Sequence, residues 1–307
     1  MEIRADLHMH GPIGFQPYWL RKQSYAGKNL LQLIADECFS KGITICAITS
    51  QADEIPKGSV HDRLGCLRDY EAGLLPKEYC TDTIGNDILV VEMGKERVYL
   101  VNGQTAMPKE NGKKYDLLIV GSNRVPNFKS FRDTLNYGKD HGLIQIAEHP
   151  YVETHRGMGK ELLERYIDDF DAIEGHNSQA IFWNWMTKLP KIGSMFSRAG
   201  RKMNELAQET AKRYNKPWIA TSDAHQIEDL GISYISWDGE INNSNEDKFF
   251  SDLKNIIRRN EFDIDCNYES VFQWFKWIGI FQIGCKAIKV GKFDVITDAY
   301  TPSNELR

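Results

Sequence analysis

Two histidines, His8 and His10, stand near the start of the chain at the end of a strand-like run that begins at Ile3. Alternate residues of a strand point to the same face, so both imidazoles can approach one point. Neutral imidazole is a common ligand for divalent transition metals. Exposed histidines also occur by chance, so a metal site requires further ligands from elsewhere in the chain.

Three later apolar runs also stop at residues that bind metals. They end at Glu96, at Glu148 and His149, and at Asp223 and His225. In a sheet or barrel of parallel strands, the carboxyl ends of the strands meet at one edge, where ligands bind and catalysis takes place. Each cluster alone is compatible with an ordinary polar loop. Four such endings together predict a metal site at that edge.

The chain resembles the PHP superfamily, the polymerase and histidinol phosphatase domain, through four motifs in a fixed order. They are Asp6-Leu7-His8-Met9-His10, Gly94-Lys95-Glu96, Glu148-His149-Pro150 and Thr221-Ser222-Asp223-Ala224-His225. The resemblance extends from the start of the chain to about Cys266. It implies an α/β fold, a distorted (β/α)7 barrel of the PHP type with a C-terminal extension. It also implies two or three bound metal ions and, as in many members, hydrolysis of phosphate esters.

The resemblance further implies a set of metal ligands. Those for a first ion are His8, His10, Glu96 and Asp223. Glu96 would bridge to a second ion that also uses His149, with Asn123 or water completing its coordination. Glu92 competes with Glu96 for the bridging role, but Gly94 fits the family's Gly-x-Glu pattern and favours Glu96.

Several positions depart from the family's pattern. Ser50 and Gln51 stand where members usually carry Thr-Asp-His, and Gln16 stands near the place of another usual ligand. A neutral amide oxygen is a weak ligand for zinc, so we expect the third metal site to be lost. Asn123 replaces a histidine of the second site, and its oxygen suits Mg²⁺, Mn²⁺ or Ca²⁺ better than zinc. We therefore expect one or two divalent ions per chain, from among Zn, Mn, Fe and Mg.

Asp223, His225 and Arg156 are the predicted catalytic residues. In the family, His225 belongs with the third metal; with that site lost, it is free to protonate the leaving oxygen or bind phosphate, and it also remains a candidate ligand. Arg156 is either a phosphate clamp, because guanidinium matches phosphate oxygens bidentately, or a solvated arginine. Glu174 is predicted to orient a ligand, and His176 is an alternative for a missing ligand.

Composition limits the classes of function. The 307 residues are 41% hydrophobic and 26% charged, which is typical of a globular chain with one large α/β barrel or two ordinary domains. A net charge of -5 supplies no basic field for nucleic acid, although metals can bind a phosphate of nucleic acid locally. The six cysteines lack CxxC spacing and the start of the chain lacks a signal-peptide core, so we predict a cytoplasmic location.

We divide the chain into a PHP-like metal-binding barrel over residues 1–265 and a C-terminal extension over 266–307. The extension contains the apolar stretch Val271–Ile283, which is interrupted by Gln and Lys and is short for a membrane span. Docking on the barrel is our first interpretation. There are two alternatives to docking: association between copies of the chain through 270–290, and contact with a membrane surface.

These features predict a metal-dependent phosphoesterase that hydrolyses a small phosphate ester or nucleotide through a metal-activated water. The departures from the family's pattern favour one alternative, a PHP-like binding or regulatory module with weakened catalysis. A metal-dependent amide or lactone hydrolase is another, because the same water attacks a carbonyl group. No lysine suited to carbamylation ends a strand-like run, which disfavours that second alternative.

Overall fold

The computed structural model describes residues 2–10, 30–49, 78–126, 129–181, 201–268 and 270. The substituted positions Gln16, Ser50 and Gln51 lie outside these ranges. So does 271–307, which includes all but the first residue of the segment predicted for association. Within the described ranges, no helix combines the length and the apolar character that crossing a bilayer requires.

The described chain contains strands and helices in irregular alternation. The strands are β1 (Glu2–Met9), β2 (Ile45–Ile48), β3 (Tyr79–Ile84), β4 (Ile88–Met93), β5 (Glu96–Ala106), β6 (Lys109–Glu110), β7 (Lys113–Lys114), β8 (Leu117–Val120), β9 (Ile144–Ala147), β10 (Ala172–Asn177), β11 (Trp218–Thr221), β12 (Tyr234–Asp238) and β13 (Asp263–Asp265). The α-helices are α1 (Leu30–Lys41), α2 (Phe131–Asp140), α3 (Gly159–Arg165), α4 (Arg201–Arg213) and α5 (Glu246–Arg259).

The main sheet forms a nearly closed barrel. Its strand order is β11-β10-β9-β8-β5-β2-β1-β12-β13, and β3 joins it through β4, which pairs with β5. β11 also packs beside β1 and β12, and a bridge between Met9 and Ala224 ties the end of β1 to the loop after β11. The predicted α/β barrel is confirmed, although the alternation of strands and helices is only approximate.

Strand direction decides which residues meet at each end of this barrel. β1, β2, β5, β9, β10 and β11 run in the same direction, so their carboxyl ends share one edge, which we call the site edge. β8 is antiparallel to β5 and β9, β4 is antiparallel to β5, and β12 is antiparallel to β1. These three strands therefore point their carboxyl ends away from the site edge.

The core has an inner and an outer layer because strand residues alternate between faces. In β8, Leu118 and Val120 join an apolar cluster inside the barrel, whereas Leu117 and Ile119 join a cluster with the outer helices. Both faces of β8 are thus buried, which explains its uninterrupted apolar sequence.

Helix α5 packs its apolar face against the inner cluster. Phe249 and Leu253 belong to that cluster, and Asn245 caps the helix by accepting a hydrogen bond from the N–H of Lys248. The helix is also tied to the end of the barrel opposite the site edge, because Arg258 Nε lies 2.6 Å from the buried carboxylate of Asp171. Helix α5 therefore lies at the end of the barrel opposite the site edge, and the candidate metal ligands lie at the site edge.

Candidate metal centre

His8 and His10 lie at the carboxyl end of β1, with ring centroids 5.0 Å apart and both side chains buried. The backbone N–H of His10 donates to the carbonyl of Ala224 at 3.0 Å, which holds the strand end against the loop that carries Asp223. Burial alone would lower the pKa of His8, but the surrounding carboxylates, Asp223 first among them, raise it well above its usual value. The pocket therefore favours positive charge.

Asp223 approaches both histidines. Its Oδ1 lies 2.9 Å from His10 Nε2 and 3.3 Å from His8 Nε2. Burial alone would raise the pKa of Asp223, but the imidazoles of His8 and His225 hold it well below its usual range. Asp223 is thus a carboxylate at neutral pH, which is the form that binds a metal.

Glu148 lies between two histidines. Its Oε1 is 3.4 Å from His8 Nε2 and 3.4 Å from His149 Nε2, and it accepts a hydrogen bond from Thr105 Oγ1 at 3.1 Å. His149 follows β9. Burial alone would lower the pKa of His149, but the carboxylate of Glu148 raises it to about 9. Glu148 belongs to the motif Glu148-His149-Pro150 but was not among the predicted ligands.

Glu96 does not join this cluster. It is the exposed first residue of β5 and pairs with Met93 across the β4–β5 hairpin. Since β5 runs in the same direction as β1, its first residue lies away from the site edge. Thr105, which contacts Glu148 at the site edge, is nine positions further along β5, roughly 30 Å of extended chain. The structure therefore corrects the predicted ligand set: Glu148, and not Glu96, is the glutamate that lies between His8 and His149.

Asn123 also lies away from the cluster. It follows β8, and its prediction as a ligand assumed that β8 ends at the same edge as β1. Because β8 is antiparallel to its neighbours, its carboxyl end is instead beside the start of β9, where Gly121 packs against Leu143. This is a second correction to the predicted ligand set.

Asp116 immediately precedes β8 and so reaches the site edge. Its Oδ2 lies 4.0 Å from His149 Nε2, and its Oδ1 lies 2.9 Å from Arg156 Nε. Burial and the carboxylate of Glu148 raise the pKa of Asp116 to about 7, against the opposing effects of His149 and Arg156. Asp116 was not predicted from the sequence. The one feature that could have indicated it is its position directly before the apolar strand β8.

Glu174, in β10, holds two of the histidines. Its Oε1 lies 2.7 Å from His8 Nδ1, and its Oε2 accepts a hydrogen bond from the backbone N–H of His149 at 2.5 Å. Asn177 Nδ2 donates to Glu174 Oε2 at 3.3 Å and to Asp223 Oδ2 at 2.9 Å. Because Nδ1 of His8 is engaged, Nε2 is the nitrogen that faces the pocket. Glu174 therefore makes the contacts with His8 and His149 that its predicted orienting role requires.

Replacing Glu174 by glutamine is expected to weaken metal affinity about 10- to 100-fold, because the His8 imidazole loses the carboxylate that fixes its tautomer. Competition with a chelator of known affinity measures this change. Glu92→Gln is the control, since Glu92 pairs with Arg97 in an exposed hairpin. Equal affinities for the two variants would contradict the orienting role.

His225 lies beside His10, with ring centroids 4.3 Å apart, and its Nδ1 is 2.8 Å from the Asp223 carbonyl oxygen. Burial, with the neighbouring His10, lowers the pKa of His225 to about 3. The imidazole is then neutral near pH 7, and its predicted role as proton donor or phosphate contact stays a prediction. A role as nitrogen ligand is compatible with the neutral form and stays a prediction.

Arg156 follows the short helical turn Glu153–His155 on the rim of the barrel. Its guanidinium pairs with Asp116, and 30% of its side chain is exposed. A direct contact between Arg156 and a substrate phosphate stays a prediction.

His176 faces away from the cluster. Its Nε2 lies 2.8 Å from the carbonyl oxygen of Asn267, just after β13. The pairing of β10 with β11 shifts register between Glu174 and His176, and such a bulge breaks the alternation that would place both on one face. His176 therefore anchors the start of the C-terminal extension and does not replace a missing ligand.

Left-handed backbone conformations are concentrated at the site. His149, Arg156 and Asp223 have φ values of 21°, 60° and 49°. The other residues with positive φ in the described ranges, glycine aside, are Asn111, Asn215 and Asn260. Asparagine tolerates this region well, whereas strained conformations at other residues are concentrated at functional sites. The backbone thus supports a functional role for this cluster.

The donor atoms fit divalent metals. Among the described residues, Glu148 Oε2 and His149 Nδ1 are buried without a hydrogen-bond partner. Such atoms are costly to bury unless something binds them. Three overlapping groups have ligand atoms within 4.8 Å of one another: His8, His10 and Glu148; His10, Asp223 and His225; and Asp116, Glu148 and His149.

Comparison with known proteins agrees with this fold. A family model described as PHP-associated matches residues 201–255, from the start of α4 into α5. No curated protein matches the chain in sequence. PsfC from Pseudomonas syringae is 11% identical over 94% of this chain and 99% of its own, with a TM-score of 0.53.

Two larger structures are also similar. One is a two-domain protein from Bacteroides vulgatus that contains a predicted PHP-like metal-dependent phosphoesterase; it is 12% identical with a TM-score of 0.52, over 87% of this chain and 65% of its own. The other is the lesion-specific endonuclease EndoQ from Pyrococcus furiosus, 14% identical with a TM-score of 0.48, over 86% of this chain and 58% of its own. The chain thus spans about three fifths of these two proteins. The fold agrees with that of PsfC and of the Bacteroides vulgatus protein, and residues 201–255 match the PHP-associated model. Both findings support the resemblance to PHP-domain proteins that the ordered motifs predict.

Proposed function

We propose that this protein is a metal-dependent phosphoesterase that hydrolyses a small phosphate ester or a nucleotide. The observation that carries the proposal is the position of Glu148, whose Oε1 lies 3.4 Å from a nitrogen of His8 and 3.4 Å from a nitrogen of His149. A carboxylate between two imidazoles from different strands can serve two neighbouring metal positions. Paired metal positions are the usual arrangement in enzymes that displace a group at phosphorus.

The proposed ligands form two positions that share Glu148. The first position uses His8, His10, Asp223 and Glu148. The second uses Asp116, Glu148 and His149. His225 is a further nitrogen donor next to His10. When bound, divalent ions supply Lewis-acid activation of water and of a phosphoryl oxygen.

The charges of the site support an anionic substrate. Four carboxylates are buried there, those of Asp116, Glu148, Glu174 and Asp223. Two divalent cations would offset most of this negative charge, and Arg156 adds a positive charge at the rim. Arg156 is held by Asp116, so we propose that its guanidinium orients a phosphate at the mouth of the site.

The chain's own residues position the reacting groups. Glu174 and Asn177 fix His8, His149 and Asp223 through three contacts of 2.5 to 2.9 Å. Asn177 also donates to Glu174 at 3.3 Å. This rigidity keeps the ligand atoms in place without reorganisation during the reaction, which is the main source of electrostatic catalysis.

A cytoplasmic location is part of the proposal. It rests on the free cysteines Cys38, Cys46, Cys80 and Cys266, which fit a reducing compartment.

The test begins with metal analysis of the purified protein, followed by assays on phosphomonoesters, phosphodiesters, nucleotides and short DNA with Mn²⁺, Mg²⁺ or Zn²⁺. Lactones and amides are assayed in parallel. We expect turnover of a phosphate ester that a chelator abolishes and added metal restores. Metal binding without turnover would indicate a binding or regulatory module, and turnover of carbonyl substrates alone would indicate an amide or lactone hydrolase. Either result would overturn the proposal.

A further inference from the structure

We infer that the two metal positions differ in chemical preference, and that Asp116 causes the difference. The position at His8 and His10 is suited to zinc and similar ions. The position at Asp116, Glu148 and His149 is comparatively better suited to Mn²⁺ or Mg²⁺. This inference rests on the proposed function, because it concerns the same metal centre.

The donor sets of the two positions are different. At the first position, two imidazoles approach Asp223 Oδ1 within 3.3 Å, so nitrogen supplies at least half of the ligands when Glu148 is included. At the second position, two carboxylates meet one imidazole: His149 Nε2 lies 3.4 Å from Glu148 Oε1 and 4.0 Å from Asp116 Oδ2. The second position is therefore richer in oxygen.

The second position does not rest on an acidic cluster alone. Within the described ranges, Glu148 Oε2 is buried without a hydrogen-bond partner, and the whole of Glu148 is inaccessible to solvent. An unpaired carboxylate oxygen in such a place indicates a bound cation.

Asp116 is fixed in this position by its neighbours. Its backbone N–H donates to the carbonyl of Arg156 at 3.1 Å, and its carboxylate pairs with the same arginine at 2.9 Å. The antiparallel direction of β8 brings Asp116, rather than a residue at the end of that strand, to the site edge. Arg156 Nε also donates to Asp116 Oδ2 at 3.1 Å, the oxygen that lies 4.0 Å from His149 Nε2. The arginine therefore holds the carboxylate next to His149 with little freedom to withdraw.

Ligand chemistry then sets the preference. Imidazole suits zinc, copper and iron, whereas carboxylate oxygen suits magnesium, calcium and manganese. Zinc binds a given site of this kind more tightly than manganese does. Zinc is therefore expected to bind more tightly than manganese at both positions. The ratio of zinc affinity to manganese affinity should be smaller at the Asp116 position than at the position of His8 and His10.

The test titrates metal-free full-length protein with Zn²⁺ and with Mn²⁺ by calorimetry, and counts bound Mn²⁺ by electron paramagnetic resonance with and without one equivalent of zinc. We expect two binding steps, with a zinc-to-manganese affinity ratio at least about 10-fold smaller at the second. The zinc-loaded protein should still take up one Mn²⁺ per chain.

Substitutions assign the second step to Asp116. Asp116→Asn should remove that step and leave the first, and Asp116→His should raise its zinc-to-manganese ratio. Asp133→Asn, at an exposed acid in the first turn of α2, is the control. If Asp116→His does not fold, the wild-type ratio and Asp116→Asn still decide the question.

Two equivalent positions, or weakening of both steps by Asp116→Asn, would overturn this inference and leave the proposed function standing. Absence of any metal binding would overturn both. Failure to hydrolyse phosphate esters, with the two unequal steps intact, would overturn only the proposed function.

Discussion

Replacing Glu148 by glutamine is expected to reduce phosphoesterase turnover by about a thousandfold, whereas Glu96→Gln should change it by less than about twofold. Glu148 lies between His8 and His149 at the site edge, so a neutral amide there weakens both metal positions. Glu96 is exposed at the far end of β5. Steady-state rates for the two variants, at saturating metal, measure the contrast.

The pair of variants is matched because both exchange a glutamate for its amide. Glu148 is completely buried, and glutamine has nearly the same shape. The substitution therefore leaves no cavity, and we expect the variant to fold. Circular dichroism and a melting curve check this point for each variant. Loss of activity in Glu96→Gln with normal activity in Glu148→Gln would refute the assignment and restore the ligand set predicted from the sequence.

Replacing His8 by alanine is expected to remove stable metal binding at the first position and to lower turnover by at least about a thousandfold, which corresponds to about 4 kcal/mol of transition-state stabilisation. His8 lies within 3.4 Å of three buried carboxylates, Glu148, Glu174 and Asp223. Without the imidazole, these groups lose both a metal ligand and a partner. Metal content after gel filtration, together with the rate, measures the effect.

His141→Ala is the control for this variant. His141 is exposed at the end of α2, and its ring nitrogen lies 2.8 Å from the carbonyl of Tyr137. It should retain full metal content and full activity. His8→Asn gives a second test if the alanine variant is unstable, since it leaves a smaller cavity. Full metal content and normal turnover in both His8 variants would exclude His8 as a ligand.

Local sequence patterns were sufficient to predict that the residues at the ends of strands parallel to β1 meet at one edge. His8 and His10 share a face because strand side chains alternate, and Asp223 and His149 follow β11 and β9, which run in the same direction. The barrel itself was predictable through the resemblance of the ordered motifs to the PHP superfamily, whereas the apolar runs alone fitted a sheet or a barrel. These features depend on short stretches of chain and on one assumption about strand direction.

That assumption fails for β4 and β8. An apolar run looks the same whichever way the strand points in the sheet, because burial depends on the faces of a strand and not on its direction. Glu96 and Asn123 were predicted as ligands on the assumption of parallel strands, and the antiparallel pairings of β4 and β8 remove both from the site. The same reversal of β8 brings in Asp116.

Glu148 illustrates a second limit. In a regular strand, neighbouring residues point to opposite faces, so Glu148 and His149 are not expected to act together. The backbone of His149, with φ of 21°, breaks that alternation, and the N–H of His149 is held by Glu174. The amino-acid sequence thus sufficed to predict the fold class, through the family resemblance, and five of the side chains that meet at the site edge: His8, His10, His149, Asp223 and His225. The tertiary structure decided which carboxylates join them, because strand direction and left-handed backbone arise from long-range pairing.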